Sequence, residues 1–177
     1  SIVRRSVEVV LPATRFGPTD PPGREHWRVV GTKDVDQKGT LHSIGALDPF
    51  IFLDESKNPA GVGGLGSGGH PHAGLTAFTY LSPDLEDCGA GAIQAWDNIN
   101  GEMSERHRAG GLYIIQAGHG VVHDERNDTP HGFMHQFQLW IRPDERKPLP
   151  RASYQLYPPE AIPVVPLPDG AGHCRIL

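Results

Sequence analysis

The chain has 177 residues, 22 of them Gly and 17 Pro, about 22% together against roughly 12% in average usage. That length fits one domain with its own core, and 37% apolar with 21% charged residues excludes a disordered chain. The Gly and Pro show no three-residue period, which excludes collagen, and both disfavour a helical bundle; a net charge of −5 without a basic stripe disfavours direct nucleic-acid binding.

Taken in chain order, residues 1–11 alternate loosely through Val3, Val7, Val9 and Leu11 and read as an edge strand. Residues 12–25 hold four prolines and read as loop. Trp27 to Val30 is a short strand candidate. Residues 47–55 carry the apolar, aromatic run Phe50-Ile51-Phe52-Leu53, the pattern of a buried strand. Residues 58–69 form a glycine-rich loop ending at His70. It contains a GxGxxG match, but no strong strand precedes it, no helix follows it, and a nucleotide cradle is rejected in favour of a flexible flap beside a site. Strands are expected over 75–81, 91–96, 111–116 and 133–141, with a hairpin turn at Asn100-Gly101. In 133–141, His135, Phe137, Leu139 and Ile141 alternate with Met134, Gln136, Gln138 and Trp140, so both faces are partly apolar. Residues 142–150 are a polar, proline-rich connection. Short strands about ten residues apart predict a β-sandwich or barrel.

No apolar run approaches the roughly 18 residues of a membrane span. No signal peptide is visible, although the chain starts at Ser1 and so reads as processed or trimmed. Cys88 and Cys174 lie far apart and outside any CxxC, which favours a reducing compartment. The expected location is intracellular: cytoplasmic and/or nuclear, or an organelle after processing.

Ten histidines are the unusual count. His70-Pro71-His72 is an HxH pair, and residues i and i+2 of a strand share a face. His123-Asp124-Glu125 repeats the spacing with one imidazole and one carboxylate, after the glycine turn Gly118-His119-Gly120. On strands facing each other inside a barrel, the two pairs would offer three nitrogens and one oxygen. That set suits Fe, Mn, Ni, Cu or Zn, with positions left open for substrate or O2. The bland alternative is two unrelated surface histidine clusters. Of the others, His26, His42, His107 and His173 read as exposed, and His131 and His135 as hydrogen-bonded core or rim groups. His119 stands next to the second pair as a candidate to support it. The sequon at Asn127 is discounted, because Pro130 follows it and the cysteines point inside the cell.

Four stretches carry a family resemblance. They are Asp48-Pro49-Phe50 with Asp54-Glu55; His70-Pro71-His72 and Gly74 with Phe78-Thr79-Tyr80-Leu81; Ala117-Gly118 and Gly120 through His123 and Glu125; and Phe137-Gln138-Leu139-Trp140-Ile141. In this order and spacing the chain resembles the pirin family of the cupin superfamily over about residues 45–163. The resemblance implies an all-β cupin jelly-roll, a double-stranded β-helix barrel. Residues 1–160 would form the N-terminal cupin domain, and 161–177 a tail or linker where the family's second domain would begin, that domain being absent or outside this chain. It implies metal ligands His70, His72, His123 and Glu125, a mononuclear non-haem site with Fe(II) first and Mn, Ni, Cu or Zn as alternatives, and quercetin 2,3-dioxygenase activity on a flavonol or similar enediol with O2. Glu125 would both ligate the metal and accept the flavonol hydroxyl proton.

Against the family pattern, Ala73, Leu75 and Thr76 replace Arg, Phe and Glu, His119 stands where Arg is common, and Trp96-Asp97 where His-Arg-Asp is usual. The alternative function is a non-catalytic, metal-dependent regulatory or assembly protein. A protein partner or a second copy would then cover the surface left by the missing domain. A third option, sugar isomerisation, lacks the Arg/Lys cluster a sugar phosphate needs.

Overall fold

In a computed structural model, residues 14–15, 23–31, 34–35, 41–64 and 68–177 are described. Residues 1–11, expected to form an edge strand, lie outside them. The strands are β1 (Thr14–Arg15), β2 (Glu25–Gly31), β3 (Asp34–Val35), β4 (Leu41–Gly45), β5 (Phe50–Pro59), β6 (His70–His72), β7 (Thr76–Leu81) and β8 (Ala92–Asp97). They continue as β9 (Gly101–Glu102), β10 (His107–Arg108), β11 (Leu112–Gln116), β12 (Val121–Asn127), β13 (Phe133–Ile141), β14 (Ser153–Tyr157), β15 (Val164–Pro166) and β16 (His173–Arg175). The only helices among the described residues are single 3-10 turns, Pro159–Ala161 and Pro168–Gly170. No helix there is long and apolar enough to cross a membrane.

The larger sheet runs β14-β11-β7-β13-β5-β2-β4-β3, with β1 on β2; the smaller runs β10-β8-β12-β6, with β9 on β8. Apart from the parallel β2–β4 contact, the ladders within these two sheets are antiparallel. The sheets pack face to face, and no ladder joins them among the described residues. The result is a jelly roll of two open sheets rather than a closed barrel. Short strands broken by Gly and Pro give this architecture because each has one apolar face to bury and no length to form helix.

At the β10–β14 end the inner faces are apolar. Leu81, Ile93, Ile115 and Met134 are buried to 2% exposure or less, each contributing roughly 1.5–3 kcal/mol. At the other end the inner face turns polar, and here the sequence expectation needs correction. The strand through Phe50-Ile51-Phe52-Leu53 exists but runs on to Pro59, and Phe50 is 43% exposed. The fully buried positions of β5 are Asp54, Ser56 and Asn58. An apolar run attracts a core assignment; here alternation sends the polar residues that follow it inward.

The connection from β11 to β12 depends on glycine. Gly118 has φ +52°, and a Cβ on it would collide with the Pro150 carbonyl, so the expected glycine turn forms under the 142–150 connection. The expected turn at Asn100-Gly101 also forms. Asp97 opposes Gly101 across it, and the Asp97 carboxylate accepts the Ile99 and Asn100 N–H groups.

Candidate metal centre

β6 and β12 are neighbours in one sheet, with His70 opposite His123 and His72 opposite Val121. The two pairs therefore do not face each other across a barrel; they lie side by side on one inner face. The outcome for the imidazoles is the expected convergence. Ring centroids are 4.8 Å apart for His70–His72, 4.6 Å for His70–His123 and 4.9 Å for His72–His123. One ligand atom from each lies within 4.8 Å of the others. Three donors around one ion at about 2.1 Å stand roughly 3.0–3.5 Å from each other, so the imidazoles would draw inward by an ångström or more at the widest pair to hold it.

The ring nitrogens fit such an ion. His72 is 7% and His123 1% exposed. His72 Nε2 and both His123 nitrogens are buried without a hydrogen-bond partner among the described residues. Buried polar atoms normally have one. His70 Nδ1 donates to the Gly68 carbonyl at 2.9 Å, and a carbonyl can only accept, so Nε2 keeps its lone pair for the centre.

Glu125 stands one pleat further along the same face of β12 and is fully buried. The close cluster consists of the three imidazoles, and the Glu125 carboxyl is tied to the opposite sheet. Gln138 Nε2 donates to its Oε2 at 3.2 Å, and the Thr79 hydroxyl also hydrogen-bonds it. Sequence reading did not give Gln138 or Thr79 this part. Nor did it give Asp97 one: this carboxylate, 1% exposed, sits directly opposite His123 on β8. Alternation along 91–96 extended by one residue would have placed it inward. Trp140 of β13 meets the His72 ring edge-on at 5.0 Å and stacks on Phe52 at 4.4 Å, giving the centre an aromatic wall.

The remaining histidines divide. His173, His131 and His119 are exposed, so His119 does not support the pair, and the His42 side chain is outside the described residues. His135 is buried and bonds Glu55 at 2.8 Å, as expected of a core group. His26 and His107 are not exposed. His26 Nε2 meets the Asp54 carboxylate at 2.5 Å. His107 is 2% exposed because β10, only two residues long, pairs with β8 and turns it inward. The glycine-rich loop is pinned on its described flanks: Asn127 Nδ2 donates to the Pro59 and Val62 carbonyls, and Gly68 N–H to Asp124.

Burial dominates the electrostatics. It lowers His72 to about 4 and His123 to about 3, helped in each by neighbouring imidazoles, and opposed at His123 by Asp97. It lowers His107 to about 4. It raises Glu125 to about 7 against the hydrogen bonds from Thr79 and Gln138. Between pH 6.5 and about 4 the unfolded chain thus binds protons at three histidines that the folded chain leaves neutral, and acid removes stability. Glu125 acts in the opposite sense between its ordinary value and 7, one proton against three. The metal-free chain is expected to lose thermal stability steadily as pH falls from 6.5 to 4. A flat melting temperature over that window contradicts this account of the three rings.

The chain is similar to known proteins in sequence and in fold. The pirin family model matches residues 31–141. A pirin-like protein of Caulobacter vibrioides is 31% identical over 160 residues, 89% of this chain and 51% of that protein. A quercetin 2,3-dioxygenase of Escherichia coli K12 is 34% identical over 88 residues, 50% of this chain and 34% of that protein. The chain spans about half the length, or less, of the curated relatives it matches. Among solved structures, a bacterial pirin from Escherichia coli in complex with nickel(II) superposes with a TM-score of 0.57 at 22% identity, over 80% of this chain and 53% of that one. A quercetin 2,3-dioxygenase from Acinetobacter baumannii gives 0.64 at 22%, over 85% and 49%. These likenesses show the shared jelly-roll fold, and the family match over most of the chain shows that it belongs to the pirin family.

Proposed function

We propose that the chain is a metal-dependent dioxygenase of the quercetin 2,3-dioxygenase type, with His70, His72, His123 and Glu125 holding one ion, Fe(II) in the first instance. The observation that carries this is the trio of imidazoles on one inner face, with His72 Nε2 and both His123 nitrogens buried without a hydrogen-bond partner among the described residues. Pirin membership and the names of the relatives support it. When bound, the ion supplies Lewis acidity and redox chemistry for joining O2 to an enediol.

The chain's own groups do the rest. Glu125, a buried carboxylate beside the ion, is suited to take the proton of a flavonol hydroxyl. Gln138 and Thr79 hold it in place. Trp140 and Phe52 offer a flat apolar wall beside His72 for an aromatic substrate. Enclosure between the sheets keeps bulk water from the reacting groups.

The test is to load the chain with Fe(II), add quercetin under O2, and follow flavonol absorbance. Decay with the wild type supports the reading; none at full iron occupancy overturns it for that substrate. A second reading, a non-catalytic metal-dependent binding protein, is favoured by apolar side chains exposed on and around the β15–β16 hairpin, among them Val164 at 49% and Leu167 at 42%. Inactivity at full occupancy on quercetin and on other enediols alike selects it.

A further inference from the structure

The strand register lines up a polar row across five strands of the larger sheet. Arg28 opposes Asp54, Asp54 opposes Gln138, Gln138 opposes Thr79, and Thr79 opposes Tyr113. Asp54, Gln138, Thr79 and Tyr113 are all at least nine-tenths buried. The next row on one side is apolar: Phe52, Trp140, Ala77 and Ile115. The next row on the other side holds the fully buried Ser56 and Gln136 and ends on Leu81, so the polar surface is confined to part of the face.

A buried polar group left without a partner destabilises the fold. Apolar side chains of similar size would avoid that cost, so the row needs something to bind. Its middle two members find it in the facing sheet. Gln138 donates to Glu125 Oε2 at 3.2 Å, and the Thr79 hydroxyl hydrogen-bonds the same carboxyl. The far end is fixed by Arg28, whose Nε and Nη2 donate to Asp54 at 2.5 and 3.0 Å. Asp54 and Gln138 are directly opposed on β5 and β13, where side chains stand about 5 Å apart and restrict each other.

We propose that Gln138 and Thr79 are positioning residues for Glu125: from the facing sheet they fix where its carboxyl stands beside the imidazoles, and tight metal binding depends on them. The proposal rests on the reading of Glu125 as a member of the metal centre. Partners that orient a ligand from behind typically change metal affinity by 10–100-fold when removed. Thr79 allows a sharp comparison, since Val keeps its shape without the hydroxyl and Ser keeps the hydroxyl without the methyl.

The experiment measures Zn(II) affinity of the full chain by competition with a chromophoric chelator, for wild type, Thr79→Val, Thr79→Ser and Gln138→Leu, with metal-free melting temperatures alongside. Thr79→Val and Gln138→Leu are expected to bind Zn(II) about 10–100-fold more weakly, and Thr79→Ser within about threefold of wild type. A purely structural role would lower the metal-free melting temperature and leave affinity unchanged. Wild-type affinity in the Val variant, or equal losses in Val and Ser, overturns the proposal while leaving the metal centre standing. A wild-type chain that binds no Zn(II) overturns both. Should Gln138→Leu fail to fold, the Thr79 pair decides alone.

Discussion

Replacing His123 by alanine is expected to weaken metal binding at least 100-fold and to abolish flavonol oxidation. His123 is the most deeply buried ring of the trio, 1% exposed, and stands 4.6 Å from His70 and 4.9 Å from His72. Alanine leaves two imidazoles, both on β6, and removes the one imidazole that β12 brings to the cluster. The cost to the fold is a cavity the size of one ring. The metal-free protein is nonetheless expected to lose less stability than a hydrocarbon deletion of that size would cost, because His123 holds buried nitrogens that no described residue bonds. Metal content and flavonol decay, measured beside the metal-free melting temperature, separate loss of the ion from loss of the fold. Wild-type metal content in a folded His123→Ala protein contradicts the assignment.

Replacing Asp54 by alanine is expected to destabilise the fold by about 3 kcal/mol, since breaking a buried ion pair leaves a charge uncompensated. Asp54 is fully buried and takes two hydrogen bonds from Arg28 and one contact from His26. The Arg28 guanidinium also lies over the Phe52 ring at 4.5 Å, and Phe52 stacks on Trp140. Losing the carboxylate therefore loosens the packing of β2 against β5. For a chain of this size, 3 kcal/mol corresponds to a fall of roughly 6–12 °C in melting temperature. Asp54→Asn, which retains shape and one acceptor, is expected to fall between. A melting temperature for Asp54→Ala within 2 °C of wild type contradicts the role given to this pair.

The sequence shows most of the strands plainly. The 133–141 strand matches β13 at both ends, and 75–81 and 111–116 match β7 and β11 to within a residue, because period-two alternation and flanking Gly or Pro mark each one. The two proposed ligand pairs are visible for the same reason, as i and i+2 residues. Sequence does not show which strands lie side by side. That is set by the sheet, and it turned facing pairs into the His70–His123 opposition within one ladder. Nor does it show contacts between sheets, so Gln138 and Thr79 carried no signal for their bonds to a residue on β12. His107 lies on a strand too short for any periodicity to appear. Asp54 was hidden by the apolar run before it, which draws attention to the wrong half of β5.

The claim on which the rest depends is that three imidazoles and one carboxylate meet at a single ion. X-ray absorption at the metal edge of the Ni(II)- or Fe(II)-loaded chain, with metal quantified in the same sample, tests it most directly. One ion per chain is expected, with scattering from three imidazoles and at least one additional oxygen at about 2.1 Å. Fewer than three imidazoles, or less than about 0.2 ion per chain after loading of folded protein, would contradict it, since a site built for one ion fills when metal is in excess.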